Sequence, residues 1–176
     1  MKSLVAQRGV GLMEVLVALV ILAIGILGFS ALQLRGIEAT QEANEQSVAM
    51  NLARDLAERM RINRTALATY KTAINDKYDS KDDCVGITAI NNGSDNLALP
   101  ICNSVAMAEH DASEIIQKAE NMGQTVVVAG CVKSNVNCIY VAWGPTTITS
   151  TSLEQCIDTT TGAYLMNSKC LVMEAF

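Results

Sequence analysis

The hydrophobic pattern at the start of the chain is that of a membrane-spanning helix. No residue from 15 to 34 is charged, and most of them are aliphatic residues, alanine or glycine. About twenty such residues in a helix cover the ~30 Å hydrocarbon layer of a bilayer. We therefore predict a transmembrane helix over residues 10–34.

Helical spacing continues after the apolar segment. Over residues 35–63 charged residues surround an apolar stripe whose members are Ile37, Val48, Ala49, Leu52, Ala53, Leu56 and Met60. This amphipathic pattern predicts a helix that packs its apolar face on the rest of the chain. We expect one helix from residue 10 to about residue 62.

The end of this helix and the region after it are polar. Asp55 and Arg59 are spaced to form an ion pair one helical turn apart, and cations at a helix end suit its dipole. Residues 64–110 contain many Asn, Asp, Ser and Gly residues, which predicts a long surface loop. The acidic residues between 76 and 83 lack the spacing of an EF-hand, so a solvated loop is favoured over a calcium site, the alternative.

A capping-box pattern marks the next element. Asp111 is followed three residues later by Glu114, which is typical of a helix start. We predict a short helix over residues 111–123 with three apolar residues facing inward: Ile115, Ile116 and Ala119. His110, the only histidine, is expected on the solvated flank of this helix.

The C-terminal region, residues 124–176, has the pattern of an antiparallel sheet. Residues 125–129 and 139–143 are two runs of strand-forming residues, which predict a hairpin. Residues 170–173 would return a last strand, and residues 146–151 would add an edge strand. Trp143 is expected to pack the sheet on the outer half of the long helix. The predicted fold class is α+β.

Composition and charge limit the functions to consider. The formal net charge is −5 and no basic stripe is present, which argues against binding to nucleic acid. The sequence contains no phosphate loop, nucleophile elbow or zinc-binding HExxH motif. We therefore expect no enzyme activity and no cofactor.

Six cysteines follow the apolar segment: Cys84, Cys102, Cys131, Cys138, Cys156 and Cys170. An even number without Cys-x-x-Cys spacing favours structural disulfides in an oxidising compartment over a metal site or reactive thiols. Six cysteines allow fifteen connectivities. The pairing that we prefer joins neighbours along the chain: Cys84 with Cys102, Cys131 with Cys138, and Cys156 with Cys170.

The residues before the span indicate its orientation. Lys2 and Arg8 precede the apolar segment, and positive charge stays on the cytoplasmic side of a membrane. We therefore expect a single pass through the inner membrane, with the N-terminus in the cytoplasm and the C-terminal domain in the periplasm.

Residues 2–14 also resemble a known signal. Lys2 and Arg8, then Gly9, then Glu14 at the start of an apolar helix are similar to the N-terminus of type IV pilins and of type II secretion pseudopilins. The resemblance implies that residues 1–9 are a leader, that a prepilin peptidase cuts between Gly9 and Val10, and that Val10 is then N-methylated. At the first two mature positions this chain has Val10 and Gly11, where the family usually has an aromatic residue and a threonine or serine.

Glu14 is the residue of this signal for which we predict a role in assembly. A carboxylate at membrane depth costs on the order of 2.5 to 3.5 kcal/mol on insertion scales, so it needs a partner. The N-terminal amine of Val10 is such a partner, either within one chain or from a neighbouring subunit. The resemblance implies the neighbouring subunit, so that Glu14 directs subunit assembly.

Residues 51–64 resemble the helix end of minor pilins of the PilV type, which carry a similar Leu-Ala…Asp…Glu-Arg-Met-Arg string. This resemblance implies a structural subunit that leaves the membrane lipid for a pilus at the cell surface. Its partners would be other minor and major pilins and the inner-membrane assembly platform. The implied roles are pilus biogenesis, twitching motility and adhesion.

Other interpretations of the same residues stay open. The apolar segment also fits a secretory signal or a plain membrane anchor, although Glu14 argues against both. A minor pseudopilin of type II secretion has the same N-terminus. A membrane-anchored periplasmic enzyme or thiol sensor is the alternative from a different class.

Overall fold

The long N-terminal helix is the first element of the computed structural model, which describes residues 11–80, 84 and 102–175. Helix α1 is Leu12–Ile62, a 3-10 turn follows at Arg64–Ala66, α2 is Leu67–Asn75 and α3 is Ser104–Asn121. The strands are β1 at Gln124–Gly130, β2 at Asn137–Trp143 and β3 at Cys170–Glu174. The chain divides into two units, with the division after Asn44.

The first unit consists of the N-terminal part of α1. Its apolar side chains are exposed on every side of the helix, and the helix is long and apolar enough to cross a membrane. The prediction of one uninterrupted helix ending at Ile62 is confirmed. Val10, where the helix was expected to begin, lies outside the described residues. Ile37 was predicted on the packed stripe, but it is exposed. The buried residues of α1 begin at Ala49.

The core of the second unit lies between the helices and one face of the sheet. The buried residues of α1 are Ala49, Leu52, Ala53, Leu56 and Met60. They share one cluster with Tyr70 and Ile74 of α2, Ile115 and Ala119 of α3, and Trp143 of β2. The predictions that Trp143 packs in this core and that Ile115 and Ala119 face inward are therefore confirmed, and Ile116 packs against the core from its edge.

The sheet is antiparallel, with the strands in the order β1-β2-β3. Val127 pairs with Tyr140, and Tyr140 pairs with Val172. Because side chains alternate along a strand, Val128 and Val141 face the helices while Val127 and Tyr140 face the opposite side. Residues 144–169, between β2 and β3, are called the C-terminal segment. This segment covers that second face with Ile148, Leu153 and Ile157. The predicted hairpin, last strand and α+β class are confirmed.

The predicted loop over residues 64–110 is wrong at both of its ends. Residues 64–75 form the 3-10 turn and α2, because Ala66, Tyr70, Ala73 and Ile74 recur at helical spacing and are buried together. The polar residues between them, Thr69, Lys71 and Thr72, obscured this stripe in the sequence. Asp76 and Asp79 are exposed, and residues 81–83 of the alternative calcium loop lie outside the described residues.

The predicted start of the helix over residues 111–123 is also wrong. Helix α3 begins at Ser104, and Asn103 is its N-cap, with a side chain that accepts a hydrogen bond from the backbone N–H of Ala106 at 2.8 Å. Asp111 lies in the middle of α3 and does not cap it. Asp111 instead binds Arg59 of α1 and Tyr70 of α2.

The expected edge strand over residues 146–151 does not form. Its only strand-like contact within the described residues is an isolated bridge between Thr149 and Ser152. This segment instead places Ile148 in the second core cluster. His110 is half-buried rather than solvated.

At the outer edge of β1, a side chain of α2 binds the backbone of Val128. The amide of Asn75 donates to the carbonyl oxygen of Val128 at 2.8 Å and accepts from the N–H of Val128 at 3.0 Å. Both outward backbone groups of a fully buried residue are thereby satisfied.

Replacing Asn75 with alanine is expected to lower the free energy of unfolding by about 1 to 3 kcal/mol, because the two backbone groups of Val128 lose their partners in a buried place. Denaturant unfolding and hydrogen exchange at the Val128 amide measure the effect. Asn51→Ala is the matched control, since Asn51 is exposed on α1 and such a surface change is expected to stay within about 0.5 kcal/mol. Equal stability of the two variants would contradict the prediction.

Candidate functional site

Glu14 lies in the first turn of α1, in the only long apolar helix of the described chain. It is exposed, and its backbone N–H donates to the carbonyl oxygen of Gly11 at 2.9 Å. The side chains beside it on the helix, including Leu12 and Met13, are apolar and largely exposed. The helix thus presents one carboxylate on an apolar surface that lipid or other helices must cover. Gly9 and Val10, the predicted cleavage and methylation residues, lie outside the described residues.

A second concentration of charge joins the helices of the globular unit. Arg59 of α1 binds three carboxylates, with Nε 2.8 Å from Asp55 Oδ1, and with Nη1 2.5 Å from Asp111 Oδ1 and 2.8 Å from Glu114 Oε2. The hydroxyl of Tyr70, on α2, donates to the other oxygen of Asp111. We call these five residues the Arg59 cluster; it ties α1, α2 and α3 together.

Lys118 extends the cluster at its solvent side. Its Nζ lies 3.2 Å from Asp55 Oδ2, so that both oxygens of Asp55 are bound by cations. Two cations and three carboxylates therefore balance most of their charge within the cluster. Such neutralised carboxylates are poorly suited to hold a metal, and no metal-binding group of His, Cys, Asp and Glu is found among the described residues.

The surroundings of the cluster shift its pKa values. Burial opposes ionisation of Asp55, but hydrogen bonds from Arg59 and Lys118 outweigh it, and the pKa of Asp55 lies below its ordinary value. Burial and the hydrogen bond to Asp111 raise the pKa of Tyr70. Burial disfavours the charged form of Arg59, yet its hydrogen bonds to Asp55, Asp111 and Glu114 raise its pKa. At neutral pH Asp55 and Arg59 are charged, while Tyr70 keeps its proton.

Only part of this cluster is predicted by the local sequence pattern. The Asp55–Arg59 pair is confirmed, but Arg59 was interpreted as a cation for the helix dipole. Its long-range partners on α3 were missed, since Asp111 was assigned to a helix cap. The available signal was that Asp111, Glu114 and Lys118 recur at helical spacing, which places three charges on one face of α3.

Three disulfides link the six cysteines in the order in which they occur along the chain. Cys84 is bonded to Cys102, Cys131 to Cys138 and Cys156 to Cys170. The second bond closes the β1–β2 hairpin, and the third ties the C-terminal segment to the start of β3. Each local loop stabilises the fold by roughly 2 to 4 kcal/mol in the chain-entropy account. No free cysteine is present to act as a reactive thiol.

An exposed aspartate organises the tip of the C-terminal segment. Asp158 accepts hydrogen bonds from the hydroxyl and N–H of Thr160 and from the N–H of Thr161. These bonds to the ionised form lower the pKa of Asp158 to about 2. The turn continues through Gly162, whose φ of +74° suits glycine.

Two family models match the chain. The model described as Tt1218-like, type IV pilin Tt1218, matches residues 31–113. The model of the prokaryotic N-terminal methylation motif matches residues 5–30. No curated protein and no solved structure matches the chain.

The fold defines an α+β subunit with a long N-terminal helix, an apolar N-terminal part of that helix, and a small antiparallel sheet. Together with the two matches, it supports a type IV pilin that carries a prepilin-type methylation motif. The resemblance stated from residues 2–14 is therefore confirmed at the level of the family.

Proposed function

We propose that the chain is a minor type IV pilin of the PilV type. A prepilin peptidase cuts it between Gly9 and Val10 and methylates Val10, and the mature subunit enters a pilus, where it primes assembly or modifies the fibre. In this role it supports pilus biogenesis, twitching motility and adhesion. The likeness of residues 51–64 to PilV-type sequences supports this particular assignment.

Glu14 is the observation that carries the proposal. It is a carboxylate on a helix that exposes apolar side chains on every side. In the membrane this carboxylate lacks water, and its free energy is relieved when a positive amine approaches it. The methylated N-terminus of a neighbouring subunit supplies that amine in the fibre, and the pairing also sets the axial register of the two subunits.

The remaining partners follow from this path. Before assembly the subunit crosses the inner membrane once, with the basic leader in the cytoplasm and the sheet in the periplasm. It then meets other minor pilins, the major pilin and the inner-membrane assembly platform. The Arg59 cluster supports a structural rather than an enzymatic role, because its charged groups form ion pairs that join helices.

The N-terminus of the mature protein tests the processing step. Mass spectrometry of purified membranes is expected to find a chain that begins at a methylated Val10. A mature chain that retains Met1, or one that begins beyond Ser30, would refute the proposal.

Deletion of the protein tests the assembly role. The deletion strain is expected to lose most of its surface pili and its surface motility, and expression of the full chain is expected to restore both. Normal pili together with failed secretion of exoproteins would assign the chain to a type II pseudopilus instead.

A further inference from the structure

The side chain of Gln124 has one buried polar atom without a partner. Gln124 is the first residue of β1 and is only 4% exposed. Its Nε2 donates to the carbonyl oxygen of Glu45 on α1 at 3.0 Å. The amide group cannot be turned round, because Oε1 would then face another acceptor. Oε1 is therefore a buried acceptor, and it has no hydrogen bond to any described residue.

A neighbouring buried residue directs two backbone groups toward the outer edge of β1. Asn75 binds the N–H and the carbonyl of Val128 from outside the sheet, so Val128 and Ile139 are not a hydrogen-bonded pair. Because hydrogen-bonded pairs alternate in an antiparallel ladder, the N–H and the carbonyl of Val126 also point away from β2. Val126 is 7% exposed, and these two groups have no hydrogen bond within the described part of the chain.

Gln124 and Val126 border the same small cavity, which lies between β1, α2 and α3. The volume open to the centre of a water molecule is about 10 Å³, which is room for one water and for nothing larger. Ile74, Ile116 and Ala119 supply apolar parts of the wall. The polar groups that the wall leaves unpaired are therefore those of β1.

An ion pair lies at the solvent side of the cavity. Lys77 Nζ is 2.9 Å from Glu120 Oε1, both side chains are more than half exposed, and both residues line the cavity. The ammonium group of Lys77 is thus bound to Glu120 in solvent and does not serve Oε1 of Gln124. Asn75 is the last residue of α2, so that helix offers no second amide to Val126.

We propose that this cavity holds one internal water molecule, which binds the outer edge of β1. The water donates to Oε1 of Gln124 and to the carbonyl oxygen of Val126, and it accepts from the N–H of Val126. Three hydrogen bonds are typical of a buried water. A dry cavity would leave all three groups buried and unpaired, which is costly for a folded chain.

The water does at Val126 what the amide of Asn75 does at Val128, where one planar group binds both the N–H and the carbonyl. Edge groups that are bound in this way are not available to pair with a strand of another chain. The inference concerns the globular unit alone, and it holds whether or not the chain enters a pilus.

Nuclear magnetic resonance of the full chain in detergent micelles tests the proposal. The amide proton of Val126 is expected to show a cross-peak to water, with the sign of a long-lived bound molecule. The amide of Val128, which Asn75 binds, is the internal control and is expected to show none. Thr125→Val and Lys77→Met are each expected to keep the peak, which excludes a relay through an exchanging hydroxyl or ammonium proton of the cavity wall.

Replacing Gln124 with methionine removes Oε1 and keeps the length of the side chain. The water then loses one of its three hydrogen bonds, so its residence time is expected to shorten about fivefold. Magnetic relaxation dispersion of the water deuterons measures this time. Gln117→Met makes the same change at an exposed position of α3 and is expected to leave the residence time unchanged.

The native chain decides the inference even if Gln124→Met does not fold. A Val126 amide without a cross-peak to water would overturn the inference, and so would a peak that disappears in Thr125→Val or Lys77→Met. A residence time that is the same in a folded Gln124→Met protein would show that Oε1 does not bind the water, and the proposed site would be wrong.

Discussion

Replacing Glu14 with alanine is expected to leave the chain in the inner membrane but to stop its incorporation into pili. The apolar helix still spans the bilayer, and insertion becomes easier once the carboxylate is gone. The free energy that the carboxylate gives back on meeting an amine is on the order of 2.5 to 3.5 kcal/mol, which corresponds to a loss of incorporation of roughly a hundredfold. Immunoblots of sheared pili and of membranes measure the two pools.

Glu38→Ala is the matched control for this prediction. It makes the same chemical change on the same helix, at an exposed position where Glu38 pairs with Arg35, 3.1 Å away. Exposed ion pairs of this kind contribute less than about 1 kcal/mol, so normal incorporation is expected. If Glu14→Ala entered pili as well as Glu38→Ala does, the charge-pairing account of assembly would be wrong.

Replacing Arg59 with methionine is expected to destabilise the globular unit by about 3 kcal/mol. Methionine keeps much of the apolar length of the side chain but leaves the nearly buried carboxylate of Asp111 without its cation. For a chain of this size the loss corresponds to a decrease in Tm of roughly 6 to 12 °C. The near-ultraviolet circular dichroism of buried Trp143 follows this unfolding, since it does not depend on the membrane helix.

Arg54→Met separates the loss of the cluster from the loss of a charge. Arg54 lies on α1 and is exposed, so its replacement is expected to change Tm by no more than about 2 °C. Tyr70→Phe removes one neutral donor to Asp111 and is expected to cost about 1 kcal/mol, between the other two variants. An Arg59→Met protein as stable as Arg54→Met would mean that the cluster contributes nothing to the fold.

Local pattern predicted the elements whose signal lies within one segment. The apolar stretch before Arg35 and the stripe ending at Met60 predict α1, because both features repeat along one helix. The β-branched runs in β1 and β2 predict the hairpin for the same reason. The residues that carry the family resemblance, Gly9 and Glu14, are also read without a structure, because their spacing to the apolar segment is local.

Partnerships between distant segments were not visible in that pattern. Asp111 has the spacing of a helix cap, and only the approach of Arg59 and Tyr70 makes it a buried ion-pair partner in the middle of α3. Likewise, Asn75 resembles a turn residue until β1 lies beside it and accepts its amide. In both cases the sequence allows the side chain two roles. The contacts made in the folded chain decide between them.

By itself the sequence determined the long apolar helix, its carboxylate, the hairpin and the likeness to type IV pilins, because each depends on neighbouring residues or on a fixed local spacing. The tertiary structure alone decided that the Arg59 cluster joins three helices and that Asn75 binds the backbone of Val128. These features depend on which distant segments come together when the helices pack on the sheet. That property belongs to the assembled fold, and no single segment carries it.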